Sequence, residues 1–170
     1  MNRVSLLLFL ACAASSAAPL QIDVPDLYGQ PGSVVSWKFR ASADAVNFRT
    51  FTSSFLVFES NSSIGFYTDV IASLGGPVNF LLPPGSPDWV DVAGTFQIDP
   101  FAALGARNDA TLRVLYETYS ADPGTCTQCF VSSDFQDLKV SVNVAPVPEP
   151  GTALLVALGG AAALLSRRQR

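Results

Sequence analysis

Two cysteines three positions apart and a scatter of carboxylates carry what reactive chemistry this sequence offers. None of the 170 residues is a histidine. That removes Ser–His and Cys–His nucleophile pairs, and the commonest transition-metal ligand with them. No serine stands in a G-x-S-x-G setting, which argues against a serine hydrolase. Cys126-Thr127-Gln128-Cys129 lies between Asp122-Pro123-Gly124 and Ser132-Ser133-Asp134, so it belongs to a loop. A redox C-x-x-C needs a helix terminus to lower a thiol pKa, and no helical pattern follows it. In an exported chain a close pair reads as a local disulfide between Cys126 and Cys129, the alternatives being free thiols or a redox pair. Two cysteines without histidine are too few ligands for a zinc site.

Glu59, Asp69, Asp91 and Glu117 are the carboxylates that a two-acid hydrolase would draw on, though their spacing does not place any two together. Asp88, Asp91, Asp99 and Asp109 have the oxygens of a calcium ligand set, but no DxDxDG-type loop is present. Aspartates beside Pro, Gly and Asn are turn formers first. Trp37, Tyr67, Trp89, Tyr116 and Tyr119 serve either a core or a sugar-stacking face. Asn61-Ser62-Ser63 matches a glycosylation pattern and reads as an exposed turn. From Pro19 to Val147 six basic residues stand against thirteen acidic ones, a net of −7. With no basic stripe, nucleic acid is not an expected partner. These readings favour a protein that is not an enzyme and needs no metal or cofactor. A carbohydrate- or calcium-binding module is the alternative.

The elements that would position these residues are strands. Val35, Trp37, Phe39 and Ala41 alternate with Ser36, Lys38 and Arg40, the period of a strand with one dry face. Leu112, Val114, Tyr116 and Thr118 repeat that pattern, as do Leu138, Val140, Val142 and Val144. Further strands are expected at Leu20–Val24, Val78–Leu82 and Trp89–Ile98, the last with Gly94 as a bulge or kink. Phe55–Phe58 reads as a strand buried on both sides, Phe66–Leu74 as a strand or a helical turn, and Phe101–Leu104 as one short helical turn. Seven to nine strands, turn signals between them and almost no helix predict an all-β fold: an antiparallel β-sandwich of Ig-like or Greek-key type. About 125 residues is enough for such a body to fold without help from disulfides.

Two apolar ends flank this body. Arg3, the run Val4–Ala14 and the small residues Ser15–Ala18 form the three parts of a secretory signal peptide, cut by signal peptidase after Ala17. Leu10, in the place of a small residue, speaks against a lipoprotein signal at Cys12. At the other end Pro148-Glu149-Pro150 holds the chain extended. An uncharged run then continues to Ser166, and Arg167, Arg168 and Arg170 close the chain. The fourteen residues Thr152–Leu165 cover roughly 21 Å as a helix, against a hydrocarbon core of about 30 Å. Snorkelling arginines and local thinning allow a short transmembrane helix, with the arginines on the cytoplasmic side. The expected organisation is a signal peptide at 1–17, a β-sandwich at 18–145, a tether at 146–151, a membrane segment at 152–166 and a basic tail at 167–170.

The ending Val147–Arg170 resembles the PEP-CTERM sorting signal of Gram-negative bacteria, with Gln169 interrupting the arginines. The resemblance implies recognition by an exosortase near Pro148-Glu149-Pro150. It also implies removal of Thr152–Arg170 after transient inner-membrane anchoring, and delivery to the cell surface or an extracellular matrix, often alongside exopolysaccharide. A permanently membrane-anchored β domain is the plainer alternative. Gly29–Phe39, with Asp134-Phe135, resembles a recurrent secreted domain found with such tails, and this brings no activity with it.

Overall fold

The computed structural model describes residues 20–72 and 81–146. Nine strands follow one another: β1 Leu20–Ile22, β2 Asp26–Gly29, β3 Val34–Ala41, β4 Phe48–Glu59, β5 Gly65–Asp69, β6 Leu81–Leu82, β7 Trp89–Ile98, β8 Arg107–Tyr119 and β9 Phe130–Val144. A single 3₁₀ turn, Ser62–Ile64, links β4 to β5. They form two sheets, β1-β3-β7-β5 and β2-β9-β8-β4-β6, so the fold is the expected all-β sandwich.

The alternating stretches place their apolar faces as expected. Trp37, Phe39 and Ala41 from β3 meet Leu112, Val114, Val140, Val142 and Val144 from the other sheet in one buried core. Burial of each large side chain removes apolar area from water worth about 1.5–3 kcal/mol. Phe39 adds edge-on ring contacts with Phe51 at 5.4 Å and Trp89 at 6.1 Å. The Trp37 indole N–H, which would be costly to bury unpaired, donates to the Pro25 carbonyl at 3.2 Å.

Gly94 marks a bulge, as its sequence setting suggested. Trp37 pairs with Gly94 but Lys38 with Val92, so Ala93 is the extra residue. The glycine also makes room for a side chain. A Cβ there would lie 2.0 Å from the Tyr67 hydroxyl oxygen. Tyr67 uses that space to join the sheets: its hydroxyl is 2.7 Å from Ser54 Oγ on β4 and donates to the Ala93 carbonyl at 3.3 Å.

Three details differ from the sequence reading. The sandwich is not wholly antiparallel, since β2 runs parallel to β9 from Asp26↔Ser141 to Gly29↔Val144. Pro25 has no N–H to continue a ladder, and the chain changes sheets there, leaving β1 in one layer and β2 in the other. Phe55–Phe58 is not buried on both sides. Register shifts beside Thr52 and Val57 turn neighbouring residues outward, and Phe55, Val57 and Phe58 are exposed. Of Phe66–Leu74, Phe66–Asp69 lies in β5 as the strand reading has it, a turn follows at Ile71, and Ser73 and Leu74 lie outside the described residues. Phe101–Leu104 is no helical turn but part of two reverse turns, closed by Ala102 N–H to Asp99 C=O and Ala106 N–H to Ala103 C=O, each 3.0 Å. Of the strand expected at Val78–Leu82, Leu81–Leu82 is described and the rest is not.

Candidate functional site

The end of β9 is where the fold hands the chain to its C-terminal segment. Val144 N–H donates to Ala106 C=O and Val144 C=O accepts from Gly105 N–H, both at 2.8 Å. Ala145 N–H then donates to Gly29 C=O at 2.8 Å. The last strand is therefore locked between the end of β2 and the β7–β8 loop. Gly105 makes this possible with a φ of +79°, which a side chain would strain. Pro146 follows and is exposed. Pro148, Glu149 and Pro150, the membrane segment expected at 152–166, and Arg167, Arg168 and Arg170 lie outside the described residues, as does the signal peptide expected at 1–17. The fold nevertheless fixes where they depart: Pro148 comes three residues after the last locked amide.

Cys126 and Cys129 lie at the other end of the molecule, in the Ser120–Cys129 loop between β8 and β9. Both are free thiols here, close together in the loop where the sequence placed a local bridge. Cys129 is buried, and its Sγ contacts the Cys126 carbonyl at 3.5 Å. Burial first, then the neighbouring Cys126 thiol, pushes the Cys129 pKa up. A redox nucleophile needs the opposite shift. The loop is closed by Asp122, whose carboxylate accepts from Gly124 N–H at 2.8 Å and whose carbonyl accepts from Thr125 N–H at 3.1 Å.

The four carboxylates weighed for hydrolysis occupy separate places. Asp69 takes hydrogen bonds from Ser53 Oγ at 2.6 Å and Ser54 N–H at 2.9 Å in the seam between the sheets. Glu59 accepts from Asn108 Nδ2 at 2.8 Å at one end of β4. Glu117 takes the Tyr119 hydroxyl at the other end. Asp91 accepts from Val92 N–H on β7. Of the calcium candidates, Asp99 accepts from Phe101 N–H at 2.7 Å and Asp109 pairs with Arg107 Nε at 2.6 Å, while Asp88 is exposed just ahead of β7. Among the described residues no three His, Cys, Asp or Glu side chains are grouped as a metal site.

The aromatics named for sugar stacking are not gathered on one open face. Trp37 is fully buried, and Trp89 packs on Phe39. Tyr67 is buried enough to hold its hydroxyl pKa well above the ordinary value. Tyr116 lies 6.0 Å beneath the Arg49 guanidinium. The hydrogen bond to Glu117, then burial, pushes Tyr119 up to about 12. The exposed rings are mostly phenylalanines. Phe55, Phe58 and Phe135 share the outer face of the five-stranded sheet. There Arg113 lies 3.8 Å above the Phe135 ring and grips Asp137 through two hydrogen bonds of 2.7 and 2.8 Å.

Sequence reasoning also missed a cleft of about 360 Å³ beside β2, lined by Asp26, Arg107, Asp109, Lys139 and Ser141. Its polar groups serve one another. Arg107 reaches Asp109 and, at 3.4 Å, Asp26. Ser141 Oγ donates to Asp26 at 2.5 Å, and Lys139 Nζ donates to Thr111 Oγ1 at 2.8 Å. Parallel pairing of β2 with β9 creates this cleft, and no local pattern in the sequence announces that pairing.

Residues 146–170 match the PEP-CTERM protein-sorting motif. That motif marks an exported chain handled by an exosortase at the cell envelope or surface. No curated protein matches the chain. Among solved structures it is similar to the sixth cohesin of Acetivibrio cellulolyticus scaffoldin B, crystallised with a Cel5 dockerin. The identity is 14%, the TM-score 0.34, and the match spans 75% of this chain and 99% of that one. It is also similar to a type I cohesin of a Coh-OlpA–Doc918 complex from Clostridium thermocellum, at 8% identity and a TM-score of 0.28 over 75% of this chain and 99% of that one. At these values the likeness says nothing of ligand or partner.

Proposed function

We propose that this chain is a structural or adhesive protein of the cell surface or extracellular matrix, without enzymatic activity, whose β-sandwich is released from a transient membrane anchor. Signal peptidase removes 1–17. The segment 152–166 holds the exported chain in the inner membrane with Arg167, Arg168 and Arg170 inside. Exosortase then acts near Pro148-Glu149-Pro150. The observation that carries this reading is the junction at Ala145. A closed, hydrogen-bonded β body ends there, and the sorting motif begins with the next residue. A protease needs an extended, accessible substrate, and a tether of alternating prolines supplies one.

The adhesive part of the proposal draws on the outer face of the five-stranded sheet. Its exposed phenylalanines and the Arg113–Phe135 stack form a mixed apolar and charged surface of a kind that suits association with other matrix components, exopolysaccharide among them. Intact mass of the protein recovered from the native envelope tests the sorting. A species that begins at Ala18 or Pro19 and ends near Pro148–Pro150, bare or with an adduct, is expected. A species that still ends at Arg170 would instead establish a permanent membrane anchor.

A further inference from the structure

The β7–β8 loop, Asp99–Ala106, presents two apolar side chains outward. Phe101 is 94% exposed, more than any other large hydrophobic residue among those described, and Leu104 is 60% exposed. Single exposed hydrophobics are ordinary on protein surfaces. Here, however, two share one short loop, and that loop is bonded to the point where the chain leaves the fold, through Gly105 N–H to Val144 C=O.

The loop is also preorganised. Asp99 N–H donates to Ile64 C=O at 2.8 Å, and the Asp99 carboxylate accepts from Phe101 N–H. The two reverse turns described above fix the residues between. A loop already held in shape loses little conformational freedom when it docks. Pro100 to Ala106 carries no charge until Arg107, and the Asp99 carboxylate is turned inward onto its own loop. The tip is therefore an apolar surface, not an electrostatic one.

We propose that Phe101 and Leu104 form a bilayer contact that seats this end of the sandwich on the membrane while the C-terminal segment is inserted. The inference rests on the membrane-inserted stage of the function proposed above. Its geometry comes from the tether. Six residues, Pro146–Gly151, separate Ala145 from the membrane segment, and even a fully extended chain spans at most about 3.6 Å per residue, so this end of the fold can lie no more than roughly 20 Å from the lipid. Over so short a link a weak apolar contact becomes effectively intramolecular. An aromatic and a leucine side chain suit the boundary between headgroups and acyl chains. The net charge of −7 over Pro19–Val147 argues against attraction to anionic lipid and leaves apolar insertion as the source of the contact. Docked in this way, the fold would hold Pro148-Glu149-Pro150 at a fixed height near the headgroups.

The test uses the full chain reconstituted in phosphatidylcholine vesicles with or without brominated acyl chains. Phe101→Trp adds a reporter, while Trp37 is buried and Trp89 lies at the opposite end of β7. Flotation first shows whether the chain is inserted. Brominated lipid is expected to quench the emission that Phe101→Trp adds over the wild type, and Leu104→Asp in the same chain is expected to abolish that quenching at both low and high salt. A chain that floats with its added emission unquenched overturns the contact and leaves the sorting reading intact. A chain that does not float overturns both. Quenching that appears only when an exosortase is also present assigns the surface to that enzyme and not to lipid.

Discussion

The side-chain amide of Gln136 pairs with the backbone of Leu20 in both directions, accepting from its N–H at 3.0 Å and donating to its C=O at 2.7 Å. A residue in the middle of β9 thus completes the edge of β1 in the opposite sheet. Leu20 is itself buried and pairs with Ala41 at the far end of β3, while Ala145 is bonded to Gly29, which ends β2 and abuts Ser33 and Val35 at the start of β3. The described β body therefore begins and ends at opposite ends of the sandwich. Cleavage after Ala17 would leave Ala18 and Pro19 ahead of this clasp.

Replacing Gln136 with Ala leaves the Leu20 amide and carbonyl without these partners in a partly buried seam. The expected cost is about 1–3 kcal/mol, read as a lower urea midpoint with an unchanged m-value. Gln136→Leu should be no better, because it packs the space but offers no hydrogen bond. Wild-type stability in either variant would mean that the clasp contributes nothing.

Much of this fold was legible because a sheet with one dry face imposes a period of two. Trp37, Phe39, Val140 and Val142 are buried as their alternation requires. Extending the β9 period back from Leu138 also lands on Gln136, so a polar residue on the apolar face was there to be noticed. Phe55–Phe58 misleads because bulges break the alternation, and a bulge depends on the partner strand rather than on local sequence. The parallel placement of β2 is hidden for the same reason, since its partner lies more than a hundred residues away. The sorting motif is legible because an enzyme reads it as a linear, extended segment.

Stability at high pH should report the tyrosines. Tyr119 titrates near 12 when folded because Glu117 and burial favour its neutral form, against 10.0 for the ordinary group. Tyr67, dominated by burial, is shifted in the same direction. A raised folded pKa contributes stability that is fully present below pH 10 and is lost as pH climbs toward 12. Unfolding free energy measured from pH 8 to pH 12 should be level at first and then fall. Tyr119→Phe should lower the plateau and make the fall shallower. A flat profile to pH 12 would contradict both assignments.

The cysteines provide a compartment test. Cys126 and Cys129 are three residues apart in a loop with no helix to activate either thiol. Protein made in a reducing cytosol should keep both thiols, and the exported protein should be two hydrogens lighter by intact mass. Bridging closes so short a loop that the chain-entropy argument allows only about 2 kcal/mol. Cys126→Ser should therefore lower the exported protein's stability modestly and leave its secretion unchanged. Reactive thiols in the exported protein would refute the bridge.

The tether supplies a prediction that separates motif from placement. Ala145 is fixed to Gly29 and Val144 to Gly105 and Ala106, so these residues cannot extend into a protease cleft without breaking the end of β9. Pro146 and Val147 stand between that lock and Pro148. Deleting both leaves Pro148-Glu149-Pro150 intact but joins it directly to the locked strand. The processed form should then drop sharply in the envelope fraction, with a species ending at Arg170 accumulating in its place. Restoring two residues as Gly-Ser should recover cleavage, because the requirement is for reach and not for sequence at those positions. Replacing Glu149 with Ala tests the motif itself and should block processing even with the tether at full length. Normal cleavage of the shortened chain would show that the enzyme reaches its site by opening the end of β9, and the hydrogen bonds around Val144 would then be poor predictors of access.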